Sequence, residues 1–302
     1  MGLVRERIEQ LARAFEMPGG RAKVGAPLDA ELRFRGEPDA ELAFLVMLSA
    51  LRFGSGYHDK LRKRPGLSVG QTLVKSLTEL FERLGAPASE DLLQVTSADC
   101  ARWLGQDLGE SAPIELMDLF ARSFRDLGRL VTDQYDGSFV DLVHSAGGSV
   151  ERLVEVLAQM PFYADVQRYR GLDVPFYLRA QQLAIELAQT FGPSGFGRFD
   201  DLQLLAPSAD NVIPHVLRLE GVVRYERGLQ ERIDRGEPVP AHTEREVEIR
   251  AAAVFAVELI VEALRTNGVA ATDVQVDSWL RARGRAPAYR SKPRHRSRTV
   301  LY

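Results

Sequence analysis

Apolar residues recur with a helical period along most of this chain. Leu3, Ile8, Leu11 and Phe15 mark a first helix, and Asp39 followed by Leu42, Leu45, Val46 and Leu48 marks a second, strongly apolar one. Ser68 is positioned to cap a third, running through Val69, Leu73, Val74, Leu77, Leu80 and Phe81. The same period predicts helices over about 113–134, 149–160, 175–191, 211–220 and 273–283. The clearest signal is 244–265, where Thr243-Glu244-Arg245-Glu246 has capping-box spacing and Ala251 to Leu264 is almost continuously apolar. That segment is expected to be the central helix.

Strand signal is thin. Residues 165–174 fit one short hairpin turning at Arg170-Gly171, and the Gly- and Pro-containing stretches 17–38 and 192–198 read as loops. With no internal repeat and no long linker, the pattern predicts one mostly α-helical domain over 1–302, with at most a short β-hairpin.

Composition narrows the function classes. The chain has 302 residues, 45% hydrophobic and 27% charged, as ordinary globular proteins have. It holds no apolar run near the ~18 residues of a membrane span, and its N-terminus lacks a secretory apolar region, so a cytoplasmic location is expected. Glu6 and Arg7 do not fit a lipid-acceptor motif at Gly2. The one cysteine, Cys100, reads as packing, and the five histidines share no metal-binding spacing, so neither metal nor cofactor is expected. Charge is uneven: Arg281 to Arg298 holds eight Lys/Arg and no acid, which leaves 31 basic against 42 acidic residues, a balance of −11, elsewhere. The closing residues Thr299-Val300-Leu301-Tyr302 are too apolar for a solvated extension and are expected to dock.

Several chemistries lack their motifs. No glycine-rich loop joins a strand to a helix, so a phosphate cradle of that type is not supported. Gly54-Ser55-Gly56 follows a helix and reads as its C-terminal turn, or as backbone that lets a planar ligand approach, with Phe53, Tyr57 and His58 beside it. Asp210 is the one carboxylate in the apolar stretch Leu204 to Pro214. It reads either as a helix cap or as a carboxylate set against developing positive charge. Arg250 sits where its helix becomes apolar and calls for a carboxylate or phosphate partner. Glu258 and Glu262 lie four residues apart in the same helix, and Glu258 is the expected member of a buried ion pair.

Four segments taken together resemble the queuosine salvage protein family: Phe176 to Gln181, Ala209-Asp210 with Pro214, Glu246 to Arg250, and His295-Arg296-Ser297-Arg298 ending in an aromatic residue. The likeness is clearest from about residue 113 onward. It implies a compact helical fold like that of the helical DNA glycosylases and hydrolysis of the N-glycosidic bond of queuosine 5′-monophosphate, releasing queuine and ribose 5-phosphate for tRNA modification. The family's catalytic aspartate matches Asp210. Leu178 stands where eukaryotic relatives have lysine, and residues 54–58 differ in aromatic pattern, so that lysine's role does not carry over.

For the base, Phe53 is expected to stack and Ser55, His58 or Asn211 to make polar contacts. For the phosphate, Arg179, Arg250, His295 and Arg298 offer charge-assisted bonds. The partners expected are a nucleotide and queuine, with no membrane and no stable nucleic-acid complex. The competing reading is a helical nucleic-acid-binding module, or a glycosylase acting on polynucleotide, working through the basic stretch; the acidic balance of the rest argues against it.

Overall fold

A computed structural model describes residues 1–15 and 29–302. Its elements, in chain order, are β1 (Gly2–Leu3), α1 (Arg5–Arg13), α2 (Pro38–Leu51), α3 (Val69–Leu84), α4 (Ser89–Leu92), α5 (Ser97–Leu104), α6 (Ser111–Gln134), α7 (Phe139–Ser145) and α8 (Val150–Leu157). There follow β2 (Val166–Tyr169), β3 (Leu172–Pro175), α9 (Leu178–Phe191), α10 (Ile213–Leu219), β4 (Val223–Arg224), α11 (Arg227–Asp234), α12 (Glu244–Thr266), α13 (Asp273–Arg283) and α14 (Pro287–Arg290). The fold is mostly α, as expected. The expected loop 17–38 falls largely outside the described residues. Among the described residues, no helix is long and apolar enough to cross a membrane.

The described residues cluster into two compact units. One comprises 1–15, 166–178 and 203–299. Here α12 is central: Ile249, Ala253, Ala256, Val257, Ile260 and Leu264 are packed with Ile8 and Leu11 of α1, Ile213 and Val216 of α10, and Val276 and Leu280 of α13. Strand β1 pairs antiparallel with β4, Gly2 opposite Arg224 and Leu3 opposite Val223. The expected hairpin forms between β2 and β3. Its turn residues Arg170 (φ +46°) and Gly171 (φ +86°) are both left-handed, the geometry of a two-residue turn that matches strand twist.

Two details of α12 differ from expectation. Thr243 makes no side-chain bond to the first turn; its hydroxyl donates to Pro240 O at 2.8 Å, so the capping box is not formed. Glu246, which that box would have turned outward, is 1% exposed with its carboxylate 3.8 Å from Arg250 Nε. Glu258 is exposed, because the buried stripe of α12 passes through 256, 257, 260 and 261 and leaves 258 outside. Its carboxyl is lifted by partial desolvation and by the like charge of Asp273, not lowered by a cation. The buried carboxylate of this helix is Glu246.

The other unit comprises 29–165, 179–202 and 300–302. Its helix α2 is buried on every side from Leu42 to Leu51, as a helix apolar all round requires. Ser68 and Gln71 form the capping box that starts α3. At Gly128 of α6 an added Cβ would stand 2.8 Å from Ser89 O, so glycine is what lets α4 lie close. Cys100 is fully buried in α5, and burial pushes its thiol up to about 12. Leu301 and Tyr302 are buried, and Gly54 N–H donates to Tyr302 O at 3.0 Å, so the closing residues dock.

Candidate active site

Residues 205–212 lead into α10 as a loop buried at 205 and 207–209, in which three consecutive residues are each held by another element. Ser208 N–H donates to Asp277 Oδ2 at 2.7 Å. Ala209 O accepts from Arg250 Nε at 2.8 Å. Asp210 Oδ1 accepts from the N–H groups of Val212 (2.8 Å) and Ile213 (3.3 Å), and its Oδ2 meets Arg281 Nη1 at 2.8 Å. Arg281 Nε in turn donates to Asp277 Oδ1 at 2.8 Å. Asp277 and Arg281, one turn apart on α13, therefore close a ring through Asp210 and Ser208. Pro214 lies in the first turn of α10, where no intrahelical donor is lost.

This arrangement fixes both oxygens of one carboxylate by three donors while 14% of its side chain stays exposed. Arg250 is fully buried, its guanidinium 4.0 Å above the Phe176 ring, and Phe176, Ala209 and Val247 pack together. Three of the four segments that carry the family resemblance thus meet at Ala209.

The histidines nearby are held neutral. Burial pushes His295 down to about 3, with Asp210 acting against that shift and Arg250 reinforcing it. His215 is driven to about 4, again chiefly by burial. Its Nε2 lies 2.9 Å from Tyr289 O, which can only accept, so Nε2 carries the proton and Nδ1 is buried without a partner. Arg294 is pulled below arginine's usual range by burial and by Arg281 and Arg290, with Asp210 opposing.

Of the residues singled out from sequence, Asp210, Asn211, Arg250, His295 and Arg298 belong to the unit built on α12; Asn211 is half-buried and Arg298 exposed. Phe53, Ser55, His58 and Arg179 belong to the other unit. Phe53 is 3% exposed, packed edge-on against Phe120 and Phe162 with the Arg179 guanidinium 4.8 Å from its ring. Arg179 is 2% exposed and spends its guanidinium on three main-chain carbonyls, Ser49 (2.7 Å), Phe162 (2.9 Å) and Val300 (3.1 Å). Ser49 O lies in the last turn of α2, where a cation complements the helix dipole. Gly54 is left-handed (φ +82°), and a Cβ there would stand 2.6 Å from Leu116 Cδ1. Ser55 N–H reaches Tyr302 O at 3.4 Å, and burial lowers half-buried His58 to about 4. Sequence reasoning passed over Asp277 and counted Arg281 only as the start of the basic stretch, although their i,i+4 spacing of opposite charges was readable.

A family model for the queuosine salvage protein matches residues 42–302. The chain belongs to that family. A protein of Sphaerobacter thermophilus named queuosine 5′-phosphate N-glycosylase/hydrolase is 33% identical over 98% of this chain and 91% of its own length. Relatives of the same name from Mus musculus and Dictyostelium discoideum are 26% identical over 90% of this chain and 85% of their own, and 29% identical over 71% and 65%, respectively. The family-matched region contains both α10 with its capped loop and α13 with its ion pair.

Proposed function

We propose that this chain hydrolyses the N-glycosidic bond of queuosine 5′-monophosphate, releasing queuine and ribose 5-phosphate, and that Asp210 is the carboxylate at the reacting centre. Family membership supports the reaction. The single observation that supports the residue is the triple anchoring of Asp210 by Val212 N–H, Ile213 N–H and Arg281.

Departure of the base builds positive charge at the anomeric carbon, and a carboxylate preorganised beside that carbon stabilises it without reorganising at the moment of reaction. Three donors draw density from the carboxylate oxygens, which makes Asp210 a weaker nucleophile and a better fixed electrostatic partner. The reading is therefore charge stabilisation of an oxocarbenium-like centre, with water as the acceptor of the ribosyl group. Protein groups alone carry it, without a cofactor, on a free nucleotide in the cytoplasm. Within the basic stretch, Arg281 and Arg283 are paired with acids and Arg296 with Gly236 O, which favours a small ligand over a polynucleotide track.

The test is incubation of the pure protein with queuosine 5′-monophosphate, following free queuine by chromatography, with guanosine 5′-monophosphate and the Asp210→Asn protein in parallel. Queuine release by the wild-type protein alone is expected. Absence of release under every condition would overturn the reading.

A further inference from the structure

Beside the main core of the α12 unit lies a small second one. Phe176, Ala209 and Val247 are buried in it, with Tyr169 and Val174 of the β2–β3 hairpin and Val254 of α12 packed around them. The cluster is too small to hold the unit together, and Val166 and Leu172 of the hairpin stay exposed, so burial of apolar surface does not account for the hairpin. Polar contacts pin it to the start of α12. The Tyr169 hydroxyl donates to Glu248 Oε1 at 2.5 Å, the Arg170 guanidinium lies 3.7 Å from Glu244 and 3.8 Å from Glu248, and Gln167 Oε1 is 2.8 Å from His242 Nδ1. Residues 166–178 are joined to the rest of their unit by no continuous chain, so these contacts and the small core are what seat them.

What this seating delivers is the Phe176 ring, 4.0 Å below the Arg250 guanidinium whose Nε donates to Ala209 O at 2.8 Å. Ala209 O belongs to the peptide that carries the Asp210 N–H. Asp210 is therefore held twice, its carboxylate by Val212, Ile213 and Arg281 and its backbone, through that peptide, by Arg250. Arginine reaches its guanidinium through several rotatable bonds, and the planar group stacks on an aromatic face. A flat ring beneath it removes the tilt that an aliphatic neighbour of similar volume would permit.

We propose that Phe176 is a positioning residue for the hydrolysis: seated by the hairpin that Tyr169 pins to Glu248, it holds the Arg250 guanidinium in the plane that fixes the Ala209–Asp210 peptide. Phe176 acts through Arg250 and Ala209. A carboxylate that works by preorganisation is sensitive to its placement, and a misplacement on the order of 1 Å can cost about 100-fold in rate. This role rests on the reading of Asp210 as the reacting centre.

The experiment measures kcat and KM on queuosine 5′-monophosphate, and the melting temperature, for wild type, Phe176→Leu, Tyr169→Phe and Ile260→Val. Ile260 is fully buried in the main core, nearly three turns past Arg250 on α12 and so about 15 Å along the axis, where shortening lowers stability without touching the 209–210 peptide. Phe176→Leu is expected to lower kcat by about 10-fold with KM within about twofold of wild type. Ile260→Val, at a comparable fall of a few degrees in melting temperature, should keep the wild-type kcat. Tyr169→Phe keeps its ring in the small core and loses the bond to Glu248; it should lower kcat by about two- to threefold with little change in melting temperature. Wild-type kcat in Phe176→Leu, an equal loss in Ile260→Val, or a rise in KM alone would overturn the positioning role. If Phe176→Leu does not fold, Tyr169→Phe decides, and an unchanged kcat there overturns the role. Failure of the wild-type protein to release queuine would instead strike the reaction itself, and an active Asp210→Asn protein the role of Asp210.

Discussion

Asp210→Asn separates charge from architecture, because the amide keeps a carbonyl oxygen where Oδ1 now stands. The bonds from Val212 and Ile213 N–H survive, and asparagine caps about as well as aspartate, so the cap costs only about a few tenths of a kcal/mol. What is lost is the ion pair from Oδ2 to Arg281. Both side chains are mostly buried, 14% and 21% exposed, but Arg281 keeps Asp277 on its Nε, so the loss is about 1–2 kcal/mol and not the 3–5 kcal/mol of an orphaned buried ion. At about 2–4 °C per kcal/mol, the melting temperature should fall by only a few degrees. Catalysis should fall by at least ~100-fold, about 2.7 kcal/mol of transition-state stabilisation. Asp210→Ala provides the contrast: it removes the cap as well, costs about a further 1 kcal/mol of stability, and should lose little more activity than Asn. Circular-dichroism melts with queuine release on the same preparations decide the matter. An Asn protein that melts as expected and retains activity within tenfold of wild type would refute the catalytic role and leave Asp210 a cap.

Other parts of the fold make separate predictions. Arg179→Met should destabilise by about 3 kcal/mol or more, since three main-chain carbonyls lose a charged donor, and this would appear as a lower urea midpoint with an unchanged slope. Cys100, buried with its thiol pushed up to about 12, should resist a thiol reagent at pH 8 in the native protein and react only at the rate of unfolding; fast labelling would contradict its burial. His58, His215 and His295 have folded values of about 4, 4 and 3 against 6.5 in the unfolded chain, so the unfolded state binds more protons between about pH 6.5 and 4. Their contribution is complete above pH 6.5 and is lost as pH falls, by about 2 kcal/mol per histidine between pH 7 and 5. Glu258 and Asp273, whose carboxyls are raised, act in the opposite direction. A urea midpoint that does not drop between pH 7 and 5, or histidine ring signals that titrate near 6.5, would contradict the burial of these rings.

The long helices were legible because several turns of α2, α3, α6, α12 and α13 repeat the apolar period, and Ser68 marks the start of α3. Five short helices, α4, α5, α7, α11 and α14, were not anticipated, since four to eight residues show few turns of a period, although α8 and α10 are no longer and were anticipated over 149–160 and 211–220, and Thr96 and Asp99 do form a capping box at the start of α5. The two-residue strands β1 and β4 are more than 200 residues apart, and their pairing is set by the packing around α12. Within α12, the misreading of Glu246 and Glu258 has one cause. Local spacing put Glu246 in a capping box and Glu258 in an apolar run, whereas burial follows the face of the helix, and 246 lies on the inward face with 250 and 253.

The candidate site divides along a similar line. Asp210 was legible because a single carboxylate in an apolar stretch needs an explanation, and the Asp277–Arg281 pair could have been read from its spacing. Capping and catalysis at Asp210, which the sequence presents as rivals, are compatible in the structure. The cap uses Oδ1, and α13 fixes Oδ2 through Arg281, so the bonds that terminate the helix also orient the carboxylate. A cap lacking Arg281 would leave the second oxygen free to rotate among partners. With Arg281 in place the carboxylate has one orientation, which preorganised charge stabilisation requires. Arg281 itself is held by Asp277, and Asp277 also holds Ser208, so the orientation of Asp210 is inherited from the packing of α13 against α10 and not from the loop alone.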